Sequence, residues 1–88
     1  MLLEEIKALI EQNISDSTVY ILDPKRDGQH LEALVIAPIF EGMLLFKQQK
    51  MVMDILKPVF ETVHAMSLKT FTPDKWQAAK KDYQLEEK

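Results

Sequence analysis

The stretch Phe40 to Trp76, F-E-G-M-L-L-F-K-Q-Q-K-M-V-M-D-I-L-K-P-V-F-E-T-V-H-A-M-S-L-K-T-F-T-P-D-K-W, decides the fold. It opens on a turn signal, Glu41-Gly42, where glycine supplies a backbone conformation with positive φ. A run rich in Met, Leu and Val follows over residues 44–62 and reads as the main helix, with Phe46, Val52, Ile55, Leu56, Val59 and Val63 as its apolar face and Phe60 on the flank. Pro58 lies well inside that run. A mid-helix proline costs about 3 kcal/mol, so the helix bends there or two helical segments meet at Lys57. Residues 64–70, with His64 at their head, alternate as a strand does. Thr72-Pro73-Asp74 then starts a last helix, with Thr72 as cap, Pro73 at its first position and Asp74 in its first turn. Trp76 is the large aromatic that this short helix, fading near Tyr83, turns toward the core.

Upstream lie the partners of this unit. Leu2, Leu3, Ile6, Leu9 and Ile10 recur at helical spacing over residues 2–13, with Glu4 and Glu5 in the first turn, where the helix dipole favours acids. Residues 17–22 are β-branched and aromatic, and residues 30–37 form a second strand that Pro38 ends. The polar segment Asp23 to Gly28 between them is short, which predicts a β-hairpin. The order α-β-β-α-β-α describes one α+β domain over residues 1–83, a small sheet covered on one face by helices, followed by a frayed tail, 84–88.

Composition narrows the function. Eighty-eight residues make one domain that buries roughly 60–65% of its unfolded surface, enough for one modest core. Cysteine is absent, which excludes disulfides, zinc-thiolate sites and cysteine nucleophiles within this chain. The N-terminal residues carry acids where a signal peptide carries bases, and no apolar run approaches bilayer length, so the expected setting is cytoplasmic with no membrane partner. No Ser-His-Asp, Cys-His or paired-carboxylate arrangement stands out, and a non-enzymatic role is expected. The net charge of −3 is unevenly spread: residues 1–46 hold three bases against eight acids, and residues 47–81 hold seven lysines against three acids. The acidic total argues against strong nonspecific DNA binding, while the basic central segment permits local anion contact.

Asp27-Gly28-Gln29-His30-Leu31, Phe40-Glu41-Gly42, Val63-His64-Ala65-Met66-Ser67-Leu68-Lys69-Thr70 and Thr72-Pro73-Asp74-Lys75-Trp76, in this order, resemble the BolA-like proteins over about residues 2–82. Many members of that family carry Arg-His-Arg in the main helix. The matching positions here are Gln48, Gln49 and Lys50, which is similar to the IbaG-like bacterial branch, so nothing assigned to that helix histidine carries over.

The resemblance implies a class II KH-like fold and a partnership with a monothiol glutaredoxin and its glutathione, in which the two proteins share a bridging 2Fe-2S cluster in iron–sulfur trafficking or in iron or stress sensing. No cluster is expected on the isolated protein. By position the family's cluster ligands fall on His64 and His30, the only two histidines of the chain. Imidazole ligates iron in Rieske-type clusters, so the chemistry is sound. Two histidines 34 positions apart are not a metal motif on their own. The family's alternative role, transcriptional regulation through DNA, would draw on Lys47, Lys50, Lys69, Lys75, Lys80 and Lys81. Arginine, the residue that reads guanine bidentately, is nearly absent, and the chain has no G-x-x-G loop for clamping RNA backbone.

Overall fold

A computed structural model describes residues 3–27, 29–61, 63 and 65–83. The first helix, α1 (Leu3–Asn13), buries Ile6 and Ile10 one turn apart and keeps Glu4 and Glu5 in its first turn. The Asn13 side-chain amide donates to the Leu9 carbonyl at 2.8 Å, folding the side chain back onto the last turn of the helix. The chain then reverses through Asp16, whose φ of 59° is left-handed, a conformation that aspartate tolerates better than most residues.

Strand β1 (Thr18–Leu22) pairs antiparallel with β2 (His30–Ile36), from Thr18 opposite Ile36 to Leu22 opposite Glu32, so the expected hairpin is present. Pro38 to Phe40 make a single 3-10 turn, and Gly42 takes φ 78° as the turn requires. Helix α2 (Leu45–Ile55) carries the chain back, and β3 (Ala65–Phe71) therefore adds to β2 in parallel, as a crossover connection demands. The sheet order is β1-β2-β3. Its central strand is buried along most of its length.

The main helix ends earlier than the apolar run suggests. It stops at Ile55, and Lys57 to Glu61 form a 3-10 turn around Pro58, the two-segment arrangement expected from a proline without a donor hydrogen. Helix α3 (Pro73–Ala79) starts on Thr72, whose hydroxyl accepts the Lys75 N–H at 3.3 Å. A 3-10 turn over Lys80–Tyr83 follows.

Helices cover both faces of the sheet, not one. On the first face α1 and α2 enclose Ile6, Ile10, Val19, Leu31, Val35, Phe40, Val52 and Leu56. On the second, Leu34, Ile36 and Trp76 make a smaller cluster with Tyr20, Phe71 and Tyr83. The Trp76 ring centroid lies 5.1 Å from Phe71 and 5.5 Å from Tyr20. The cause is β2 itself: Leu31 and Val35 serve one face and Leu34 and Ile36 the other, so a single helical layer would leave half of the strand wet.

The α2 stripe also differs from the apolar reading. Phe46 is 62% exposed, whereas Gln48 is buried beside Val52. Gln48 and Val52 are four residues apart and share a helix face; Phe46 lies six residues before Val52 and does not. The Gln48 amide is satisfied completely enough to be enclosed. It donates to the carbonyls of Phe40 at 3.2 Å and Met43 at 2.9 Å, and accepts from the Thr70 hydroxyl at 2.7 Å.

Candidate functional site

The parallel register sets His30 opposite Ala65 at the start of β2 and β3. The Ala65 N–H donates to the Gln29 carbonyl at 2.8 Å, closing this end of the strand pair. His64 directly precedes Ala65 in sequence and lies outside the described residues, as does Gly28.

The loop into β2 is built by aspartates. The Asp23 carbonyl accepts the Arg26 N–H at 3.0 Å, and its carboxylate accepts the Asp27 N–H at 3.2 Å. Asp27 then does the same for the residues after it: Oδ1 accepts the N–H groups of Gln29 at 2.9 Å and His30 at 3.0 Å. Its other oxygen, Oδ2, lies 2.8 Å from His30 Nδ1. The Gln29 N–H, the imidazole and the His30 N–H hold the Asp27 carboxyl well below the usual carboxylate range. The side chains of His30 and Asp27 are 40% and 38% exposed, so the pair is held in place yet reachable. An open depression beside it is lined by Pro24, His30, Glu32, Ala65, Met66 and Ser67.

What this end of the sheet can do chemically follows from its donors. The chain offers no thiolate, and imidazole is the nitrogen donor at this end of the sheet. His30 has one ring nitrogen fixed by a carboxylate, the kind of outer acceptor that orients metal-ligating imidazoles. A histidine share of a cluster whose remaining ligands come from another molecule therefore fits these residues. Among the described residues, no group of three or more His, Cys, Asp or Glu side chains could hold a metal ion by itself.

The lysines are distributed over both helical layers. Lys47 and Lys50 stand on α2, where Lys50 is 3.3 Å from Asp54. Lys75 belongs to α3, and Lys80 and Lys81 to the turn after it. Lys69 projects from β3, 5.5 Å from the Tyr83 ring centroid and 3.9 Å from Glu32. The Tyr83 hydroxyl, and secondarily Glu32, hold its pKa above the usual lysine value. Two features escaped the sequence reading: the Asp27 pairing with His30, for which the i, i+3 spacing of aspartate and histidine was the available signal, and the exposed apolar run Leu44, Leu45 and Phe46 at the start of α2. Among the described residues, no helix is long and apolar enough to cross a membrane.

A three-stranded mixed sheet between two helical layers, with an oriented histidine at one sheet end, defines a small α+β domain. The chain belongs to the BolA-like protein family, whose model matches residues 4–75. It is 28% identical over 79 residues to the acid stress protein IbaG of Escherichia coli K12, an alignment covering 88% of this chain and 90% of the relative. The solved structure of a bolA protein homologue from Coxiella burnetii superposes with a TM-score of 0.72 at 35% identity, covering 88% of this chain and 97% of that one. A bol-like protein from Babesia bovis shares the fold, with a TM-score of 0.75 at 20% identity over 91% of this chain and 94% of that one.

Proposed function

We propose that this protein is a non-enzymatic partner of a monothiol glutaredoxin, and that it shares a bridging 2Fe-2S cluster through His64 and His30. One observation carries the reading: His30, its ring fixed by Asp27, is paired across the sheet with Ala65, the residue after His64, in a chain that has no cysteine. The glutaredoxin and glutathione supply the thiolates; this chain supplies imidazole, whose neutral ligation raises a cluster's potential relative to thiolate. Membership of the BolA-like family and the likeness to an acid stress protein support a role in iron–sulfur trafficking or stress sensing.

The test is to mix the purified protein with a cluster-loaded monothiol glutaredoxin and glutathione and to record visible circular dichroism. The expected result is a spectrum distinct from that of the glutaredoxin homodimer and abolished by His64→Ala while the far-ultraviolet spectrum stays native. An unchanged visible spectrum in that variant removes His64 as a ligand. No new spectrum with the wild-type protein at tens of micromolar removes the cluster-sharing role. It would turn attention to DNA binding by the lysines, which predicts saturable binding with a steep salt slope.

A further inference from the structure

We infer that the outward face of α2 is a docking surface for an acidic amphipathic helix of another protein. The helix period sets this face. Gln48 and Val52 are buried and turn the other side of α2 to solvent. That side carries Phe46 and Met53, two turns apart and about 10 Å along the axis, with Lys50 between them. Phe46 is 62% exposed and Met53 38%. Scattered apolar side chains on a surface are ordinary, but here exposed Leu44 and Leu45 adjoin Phe46 and widen the stripe. An open groove beside it is lined by Phe46, Lys47, Lys50, Met51 and Asp54. None of these residues belongs to the depression at the His30 end of the sheet.

Charge selects the occupant. Asp54 is the only acid between residues 45 and 57, and it is shared. Lys50 lies 3.3 Å from one of its oxygens and Lys57 lies 3.8 Å from the other. Among the described residues Lys47 has no ion pair. Three lysines against one aspartate leave this rim positive in a chain whose net charge is −3. A helix whose own apolar stripe covers Phe46 and Met53, and whose flanks set Asp or Glu against the lysines, takes the apolar surface out of water and neutralises the rim. Other occupants match less. A second copy laid on the same face would oppose lysine with lysine. Helix α1 of a second copy would bring Glu4, Glu5 and Glu11, but its Ile6 and Ile10 are buried and offer no stripe. Nucleic acid would engage the lysines, leave Phe46 and Met53 uncovered and bring phosphates up to Asp54.

The probe is a designed Ala-rich peptide of about 18 residues, long enough to hold a helix, with leucines at i, i+4, i+7 and i+11 and glutamates on both flanks. One control replaces its glutamates by lysines, the other its leucines by alanines. Amide spectra of the nitrogen-15-labelled full-length protein are expected to shift along residues 45–57 and to saturate with the glutamate peptide, and to stay unchanged with either control. Phe46→Ser should weaken binding about 10-fold. Lys47→Glu combined with Lys50→Glu should weaken it about as much and admit the lysine peptide instead. All three side chains are exposed, and the same spectra report that each variant is folded. No saturable shift at millimolar glutamate peptide overturns the inference, as do shifts centred elsewhere, equal binding of the glutamate and lysine peptides, or binding indifferent to Phe46→Ser. Shifts at residues 45–57 that follow the concentration of the protein alone would give the face to a second copy. The same shifts with mixed-sequence duplex DNA, and none with the glutamate peptide, would give it to nucleic acid. Either result overturns the inference.

Discussion

The two ends of the β2–β3 pair use polar side chains in opposite ways. Near the C-terminal end, Gln48 and Thr70 are 8% exposed each and bond to one another and to two carbonyls. Near the N-terminal end, Asp27 and His30 bond to each other at a comparable distance, yet each keeps more than a third of its side chain in solvent. The enclosed pair ties α2 and the Phe40–Met43 turn to β3 and is architecture. The exposed pair orders the loop that enters β2, and its side chains reach solvent. Hydrogen-bond length does not distinguish the two; burial does.

Substitution at Gln48 should break this contrast most severely. Gln48→Glu keeps one oxygen for the Thr70 hydroxyl but turns the other against the Phe40 and Met43 carbonyls, which offer it no donor. Burial raises the folded pKa of such a group above its unfolded value by roughly 3 units, or about 4 kcal/mol of destabilisation at neutral pH. The sign follows: the penalty is full above the folded pKa and fades as pH falls toward the unfolded value, so the variant's melting temperature should rise on acidification from pH 7 to 5. Gln48→Ala removes the amide at any pH and should cost about 2–3 kcal/mol, a loss of roughly 10–20 °C in a thermal melt. A variant melting within a few degrees of the wild type would mean that Gln48 is not what joins α2 to the sheet.

Element order, the hairpin, the Thr72 cap, the proline break and the Trp76 anchor were all legible in the sequence, because each rests on a local rule. The second helical layer was not. It depends on β2 being central and apolar on both sides, and strand order is a long-range property. Gln48 and Phe46 were misread for a related reason. Hydrophobicity placed Phe46 inside, but helix geometry rotates it away from Val52, and Gln48 enters the core only because three partners from distant positions meet it there. At the other end, the motif singled out His30 as a candidate, whereas its hydrogen bond to Asp27 required the loop's fold.

The next two changes sharpen the contrast with smaller effects. Thr70→Val deletes the hydroxyl and leaves Gln48 Oε1 without its donor, which should cost about 1 kcal/mol in a denaturant titration, with the slope unchanged. Phe46→Ser should shift stability by no more than about 0.5 kcal/mol, since the ring is already 62% exposed. A loss as large as that for Gln48→Ala would return Phe46 to the core and refute the α2 register described above.

The smallest effect on stability at neutral pH, and the most informative about the exposed end, belongs to Asp27→Asn. The variant keeps the backbone acceptor, so its neutral melt should lie close to the wild type's. Acid separates the two proteins. Asp27 has a folded pKa depressed below its unfolded value by the Gln29 N–H, the His30 ring and the His30 N–H. Its contribution is therefore present above the ordinary carboxylate value and is lost as pH falls below it through the folded one. The wild type should lose stability between pH 5 and pH 2 and fall below the variant, whose curve is flatter across the same window. This slope is opposite in sign to that of Gln48→Glu. Two carboxylates on one fold, one in a buried cage of carbonyls and one in an open cage of N–H groups, would respond to the same protons in opposite directions. Parallel slopes in paired melts would show that the difference in burial between the two sheet ends does not govern their chemistry.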